Sequence, residues 1–274
     1  MNVWINGELF DEHDARISPF DHGFTVGDGV FETVRIYGGH PFAWQRHINR
    51  LHASARALGL TVPDGIRSGA DAVLAANGLE EARMRITVTA GPAPLGSERG
   101  DAEPTAVIAL GPAVRPTQPA RVATTPWPRN ELGALTGLKT TSYAENVRSL
   151  AYARAHDCDE ALLLNTNGAI CEGTATNVFV AMNETVITPP LASGCLAGVT
   201  RAIVIELCEQ LGIPCEERTI LPTELVHAEE AFLTGSVREV QGIAAVDDQQ
   251  FVAPGPITAR ITKAFHTYIE SGVE

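Results

Sequence analysis

Among the 20 basic residues of this 274-residue chain, only two are lysines, Lys139 and Lys263; the other eighteen are arginines. Arginine stays protonated, whereas a lysine shielded from water can lose its proton and attack a carbonyl carbon. A lysine kept in so arginine-biased a chain is therefore a candidate for amine chemistry. Lys139 sits in GLKTTSY, among small and hydroxylic neighbours, with no adjacent acid to pair it at a surface. Glu172, in CEGTATN, could keep a heteroaromatic ring nitrogen protonated and so make that ring an electron sink. Taken alone, a glutamate before Gly173 reads as a turn residue.

Three further segments could hold a phosphate. The run LAGVTRAIVIELCEQLG joins a glycine-containing loop to a helix start, where the N–H groups of Val199 and Thr200 and the Thr200 hydroxyl would suit an anion. By itself this is an ordinary helix start with a threonine near the cap. Arg50, in HINRLHASA, lies three residues from His47 and so on a similar helix face, and could offer a guanidinium fork. Ser236, in FLTGSVREV, follows a strand and could add a hydroxyl. There is no GxGxxG, P-loop, HExxH or GxSxG, and Gly27-Asp28-Gly29 is too short to argue for a nucleotide.

These residues need elements to carry them. VWINGELF predicts a hairpin turning at Asn6-Gly7, and GVFETVRIYGGHPF a second, turning at Gly38-Gly39. Residues 44–60 place Trp44, Ile48, Leu51, Ala55 and Leu58 at helical spacing, and 64–78 predict another helix. RMRITVTAG and TAVIALG read as strands, and PAVRPTQPA as a linker. In the second half, helices are predicted over 143–156, 200–211 and 257–269, and strands at EALLLN, NVFVAM and 230–234. Meander-type turns with separate helices give an α+β class. The expected domains are 1–112, a linker at 113–120, and 121–274 carrying Lys139.

Bulk properties narrow the partners. A net charge of −13 repels phosphate backbones and anionic lipid, which argues against nucleic-acid and membrane roles. No apolar run approaches the roughly 18 residues of a membrane span, and the N-terminus does not read as a signal peptide. Five cysteines without a CxxC predict reduced thiols, neither a disulfide framework nor a metal site, and a cytoplasmic protein.

In chain order, FTVGDGVFETVRI, RHINRLHASA, GLKTTSYAENV, CEGTATNVFV, TPPLASGCLAGVTRAIV and EEAFLTGSVREV resemble the fold-type IV pyridoxal-phosphate enzymes. That family holds branched-chain aminotransferases, D-amino-acid aminotransferases and 4-amino-4-deoxychorismate lyases. The resemblance implies a two-domain α+β fold with pyridoxal 5'-phosphate between the domains, usually as a homodimer. It assigns Lys139 to the Schiff base with the cofactor, Glu172 to the pyridine nitrogen, Leu196 to the ring face, and Arg50, Val199, Thr200 and Ser236 to the phosphate. The implied reaction has the substrate amine displace Lys139, whose freed amine then removes the α-proton while ring and Glu172 accommodate the charge.

The substrate is less legible. The Arg-x-His pair and the tyrosine that hold the carboxylate in D-specific members are replaced here by Leu95-Gly96-Ser97 and by Phe31. The branched-chain members' usual pattern around the first glycine-rich strand is absent too, and the KTTSY and PLGS segments resemble lyase-like members. Ser97, Arg99 and Arg238, with Phe31, are the candidate substrate contacts. The sequence reading is a transaminase passing an amino group between a D-amino acid and a 2-keto acid. Its alternative is the lyase giving 4-aminobenzoate and pyruvate, and a more distant one is a non-catalytic cofactor-binding protein.

Overall fold

The computed structural model describes residues 1–272, which divide into two compact units. The first comprises Met1–Val114 together with Leu138–Tyr143; the second comprises Arg115–Gly137 and residues 144–272.

In the first unit the hairpin β1 (Asn2–Ile5) and β2 (Glu8–Asp11) turns at Asn6 and Gly7, whose φ values of 46° and 105° suit a tight hairpin turn. After the single turn α1 (His22–Thr25) come β3 (Gly29–Tyr37) and the short β4 (His40–Pro41), joined at Gly38-Gly39. Helices α2 (Trp44–Leu58) and α3 (Ile66–Asn77) precede β5 (Ala82–Thr89) and β6 (Thr105–Gly111). The six strands form one antiparallel sheet in the order β2-β1-β6-β5-β3-β4. β5 alternates: Met84, Ile86 and Val88 are buried in the core, whereas Arg83 and Arg85 lie on the other face. The core face meets Leu51 and Ala55 of α2 and Ala70 and Val73 of α3, the stripe that helical spacing predicts. Both helices end at left-handed glycines, Gly59 and Gly78.

The second unit is built on a mixed sheet. Its elements are β7 (Ala120–Thr124), α4 (Ala144–Ala155), β8 (Glu160–Leu164), β9 (Ile170–Gly173), β10 (Asn177–Met182), β11 (Thr185–Thr188), α5 (Val199–Gln210), β12 (Cys215–Glu217), β13 (Glu230–Gly235), β14 (Glu239–Val246), β15 (Gln249–Gln250) and α6 (Pro256–Glu270). The order is β12-β11-β10-β13-β14-β7-β8-β9, with β15 on β14. β14, β7 and β8 run parallel, as do β11 and β12, so meander turns do not describe this half fully. β14 escapes the sequence reading: Gln241 and Gly242 interrupt its apolar run, although seven of its eight residues are buried. Ala120, expected in the linker, opens β7. Leu138–Tyr143, expected with the second domain, falls in the first unit because its backbone continues that unit's sheet at β3. The chain is an α+β protein with two sheets. Among the described residues no helix is long and apolar enough to cross a membrane.

Candidate active site

Lys139 is held by its backbone from two sides. Its N–H donates to the Ser54 hydroxyl at 3.3 Å, and its carbonyl accepts from the Phe31 N–H at 2.9 Å. Val30 and Thr140 form an antiparallel bridge, and the Thr141 N–H donates to the Gly29 carbonyl at 2.8 Å. The hydroxyls of Thr141 and Ser142 both donate to the Gly27 carbonyl, at 2.8 and 3.0 Å. The Gly27-Asp28-Gly29 turn thus has a local purpose: it docks the lysine segment. A Cβ on Gly29 would come within 2.9 Å of the Val88 carbonyl and 3.0 Å of the Thr141 hydroxyl, so the docking leaves no room for a side chain.

The result is an amine set against aromatic faces. Lys139 Nζ lies 4.2 Å from the centroid of the buried Phe31 ring and 5.7 Å from that of Tyr143. The two rings meet edge-on at 5.2 Å. Arg85 stacks its guanidinium 3.3 Å from the same Phe31 centroid, with Nε donating to Thr87 at 3.2 Å. Desolvation pushes the Arg85 pKa down to about 10, so it stays charged at neutral pH. Arg85 is a candidate the sequence reading misses. Its signal was the alternation of β5, which puts a cation on the Phe31 side of the sheet.

Arg50 and His47 share one acid. Arg50 Nε and Nη2 donate to the two oxygens of Glu32 at 2.7 and 2.8 Å, and His47 Nδ1 lies 2.7 Å from Glu32 Oε2. Burial alone would raise the Glu32 pKa, but the Arg50 charge and the bonds from Arg50 and His47 overcome it and hold the pKa at about 2. Burial lowers His47, with Glu32 opposing. A phosphate at Arg50 would therefore meet a guanidinium whose plane is already set.

In the second unit Glu172, at the end of β9, is almost fully buried. It accepts from the Leu196 N–H at 2.9 Å and faces Arg129 Nη1 at 3.3 Å. Both partners favour the charged carboxylate. Arg129, absent from the sequence candidates, is placed by its N–H donating to the Leu164 carbonyl at 2.7 Å and by a bridge to Asn165. Glu145 lies 3.7 Å from its Nη2. The Leu196 carbonyl accepts from Asn177 Nδ2 at 2.9 Å, so the loop ahead of α5 is clamped on both sides of residue 196. Gly198 caps α5 without a side-chain hydrogen bond, and Val199 and Thr200, both buried, begin the helix. Ser236 lies half-buried in the turn after β13, and two residues earlier the buried Thr234 hydroxyl has no hydrogen-bond partner.

The two arginines proposed for the substrate have other acceptors. Arg99 grips both oxygens of Asp28 at 2.6 and 2.5 Å and also donates to the carbonyls of Leu58 and Gly59. Arg238 donates to Gln241 and to the Asp159 carbonyl and lies 3.6 Å from Glu160. Ser97 is exposed in the loop between β5 and β6.

The first unit offers an amine on an aromatic floor, and the second a buried acid against an N–H and a guanidinium and a twelve-residue helix whose first turn has no side-chain cap; the chemistry of each suits a part of pyridoxal phosphate. The amino-transferase class IV family model matches residues 29–246. A provisionally named branched-chain-amino-acid aminotransferase of Methanocaldococcus jannaschii is 34% identical over 97% of this chain and 95% of its own. A D-alanine aminotransferase of Bacillus licheniformis is 30% identical over 99% and 98%. The crystal structure of a branched-chain aminotransferase from Thermoproteus uzoniensis with norvaline superimposes with a TM-score of 0.93 at 31% identity, covering 100% of this chain and 96% of that one. The chain belongs to the class IV aminotransferases, as a pyridoxal-phosphate-dependent enzyme of that family.

Proposed function

We propose that this enzyme moves an amino group between an α-amino acid with a small or branched apolar side chain and a 2-keto acid, with Lys139 as its amine and Arg85 as its carboxylate anchor. The observation that carries this reading is the Phe31 ring with Lys139 Nζ at 4.2 Å and the Arg85 guanidinium at 3.3 Å from its centroid. Two cations on one ring favour an anionic group beside the amine. Arg85 donates to the neutral Thr87 hydroxyl, and among the charges around it Arg83 repels it while Glu32 attracts it.

Pyridoxal phosphate, when bound, supplies a ring that absorbs the electron pair left when the α-proton departs. The chain's own residues do the rest. Lys139 would hold the cofactor through its amine and, once displaced, would take the α-proton. Glu172, with the Leu196 N–H and Arg129 against it, would hold a proton on the ring nitrogen. Arg50, oriented by Glu32, would suit the phosphate, as would the first turn of α5. The phenyl ring of Phe31 excludes water from the amine.

The full-length likeness to branched-chain aminotransferases, and the lack of the Arg-x-His pair, favour L-configured donors. The likeness to a D-alanine aminotransferase keeps D-alanine as the second reading. The experiment is an absorbance spectrum of cofactor-loaded protein before and after L-leucine, D-alanine or buffer, without keto acid. L-leucine is expected to abolish the lysine-bound cofactor band with stoichiometric keto acid. If only D-alanine does so, the handedness is reversed; if neither does, the 4-amino-4-deoxychorismate lyase reading is next. Arg85→Leu should leave the band intact and raise the keto-acid KM roughly tenfold to a hundredfold, the loss expected for one charged hydrogen-bonded anchor.

A further inference from the structure

The segment 90–104 joins β5 to β6 without forming a helix or strand, and its residues 95–103 are exposed. Arg99 reaches back from the middle of that segment into the first unit. Its Nε and Nη2 donate to the two oxygens of Asp28. Nη2 also donates to the Leu58 carbonyl at 2.8 Å, and Nη1 to the Gly59 carbonyl at 3.1 Å. One guanidinium thus joins the Gly27-Asp28-Gly29 turn to the C-terminal end of α2, where carbonyls without helical partners favour a cation. The Asp28 side chain is 12% exposed, and His22 Nδ1 lies 3.2 Å from one of its oxygens. An isolated surface pair contributes little. A planar fork filled by two carboxylate oxygens and two carbonyls has a fixed geometry.

The two places that Arg99 joins are the two that hold Lys139. At the turn, the Gly27 carbonyl accepts from the Thr141 and Ser142 hydroxyls, and the Gly29 carbonyl from the Thr141 N–H. On α2, the Ser54 hydroxyl accepts the Lys139 N–H, one helical turn before Leu58. A change in spacing between the turn and α2 would therefore pull the Lys139 backbone toward one anchor and away from the other. The fit at α2 is close, since a Cβ on Gly59 would come within 3.2 Å of Arg99 Nη1.

We infer that Arg99 and Asp28 are positioning residues for Lys139: their pairing, with the two α2 carbonyls, fixes the spacing of the anchors and so the place of the amine. Arg99 then acts through Asp28 and α2 rather than on the substrate, the role its sequence position suggests. The inference rests on Lys139 being the reactive amine.

The test uses the full chain with Arg99→Ala, Asp28→Asn and both together. Amide hydrogen exchange is measured over residues 95–103, 138–143 and 66–77. In each single variant the first two stretches should exchange roughly tenfold faster than in the unaltered protein, while 66–77, in α3, keeps its rate. Acceleration confined to 95–103, or equal acceleration in α3, overturns the proposal. In cofactor-loaded enzyme each single variant should keep the lysine-bound band and lose roughly tenfold in kcat, with KM within about twofold. A raised KM at unchanged kcat in Arg99→Ala would make Arg99 a substrate contact and overturn the proposal. The double variant should be no worse than the worse single one, as for two members of one device; additive losses would overturn it. If Lys139→Ala keeps the cofactor band, the amine reading fails, whereas the exchange result stands independently of it.

Discussion

A carboxylate with no exposed surface costs several kcal/mol unless it is paired, and Glu32 is paired with Arg50 and His47. Its pKa near 2, against an ordinary 4.5, means that folding favours the charged form. That stability is present above pH 4.5 and is lost as the pH falls toward 2, by about 3 kcal/mol if the whole shift is counted. His47 acts in the same direction. Its pKa is lowered in the fold, so its contribution is complete above its ordinary 6.5 and declines as the pH falls below it. Urea unfolding from pH 8 to pH 4 should therefore show falling stability with decreasing pH, starting near 6.5. Glu32→Gln should cost about 3 kcal/mol, because it strands the Arg50 charge, and should flatten the profile below pH 4.5. An unchanged urea midpoint in that variant would mean that the triad is not a buried ion cluster. Arg50 and His47 were legible as neighbours on one helix face; Glu32 was not, since an acid in a strand gives no sign of its burial until α2 is laid across it.

At the scale of elements, glycine positions decide how closely segments approach. Gly69 of α3 lies against Trp4, and a Cβ there would come within 2.7 Å of two indole carbons. Alanine gains about 1 kcal/mol of helix propensity over glycine, but overpacking a rigid ring costs about 1–3 kcal/mol. The clash should win, and Gly69→Ala should lower the melting temperature; a rise would show that Trp4 can move aside. Gly29→Ala acts on function instead. It displaces the lysine segment, and a shift of about 1 Å at a reacting group costs on the order of a hundredfold in rate. Its kcat should fall by at least about tenfold, while Gly38→Ala, in an open hairpin turn, retains activity. The amphipathic helices and both N-terminal hairpins were readable because their periods and turn residues are local. β14 was not, because a strand buried on both faces has no alternation to read and pairs with β7 more than a hundred residues earlier. Arg129 was hidden for the same reason: its role depends on a bridge to Asn165.

For the molecule as a whole, a net charge of −13 opposes a phosphate-bearing cofactor at long range, while Lys139, Arg50 and Arg85 attract it at short range. Salt at 0.15 M screens beyond about 8 Å, so it removes the repulsion before the attraction. Stopped-flow association of pyridoxal phosphate should be faster at 0.15 M than at 0.01 M salt. A slower rate would mean that the local cations dominate the approach. Bound cofactor should also raise stability by about 2.7 kcal/mol at a hundred times its Kd, measurable as a concentration-dependent melting temperature.

The lysine segment has a consequence for how this chain could be divided. Leu138–Tyr143 leaves its flanking sequence to extend the sheet of the first unit at β3. The polypeptide therefore changes unit at 114/115, at 137/138 and again at 143/144, although the sequence offers a single proline-rich joint. A gene cut at that joint would give a C-terminal fragment whose Lys139 segment lacks its partner strand, and an N-terminal fragment whose β3 edge is uncovered. The two halves cannot be exchanged as modules between relatives unless the lysine loop travels with the half it does not adjoin in sequence. Grafting this specificity elsewhere is a three-crossover problem.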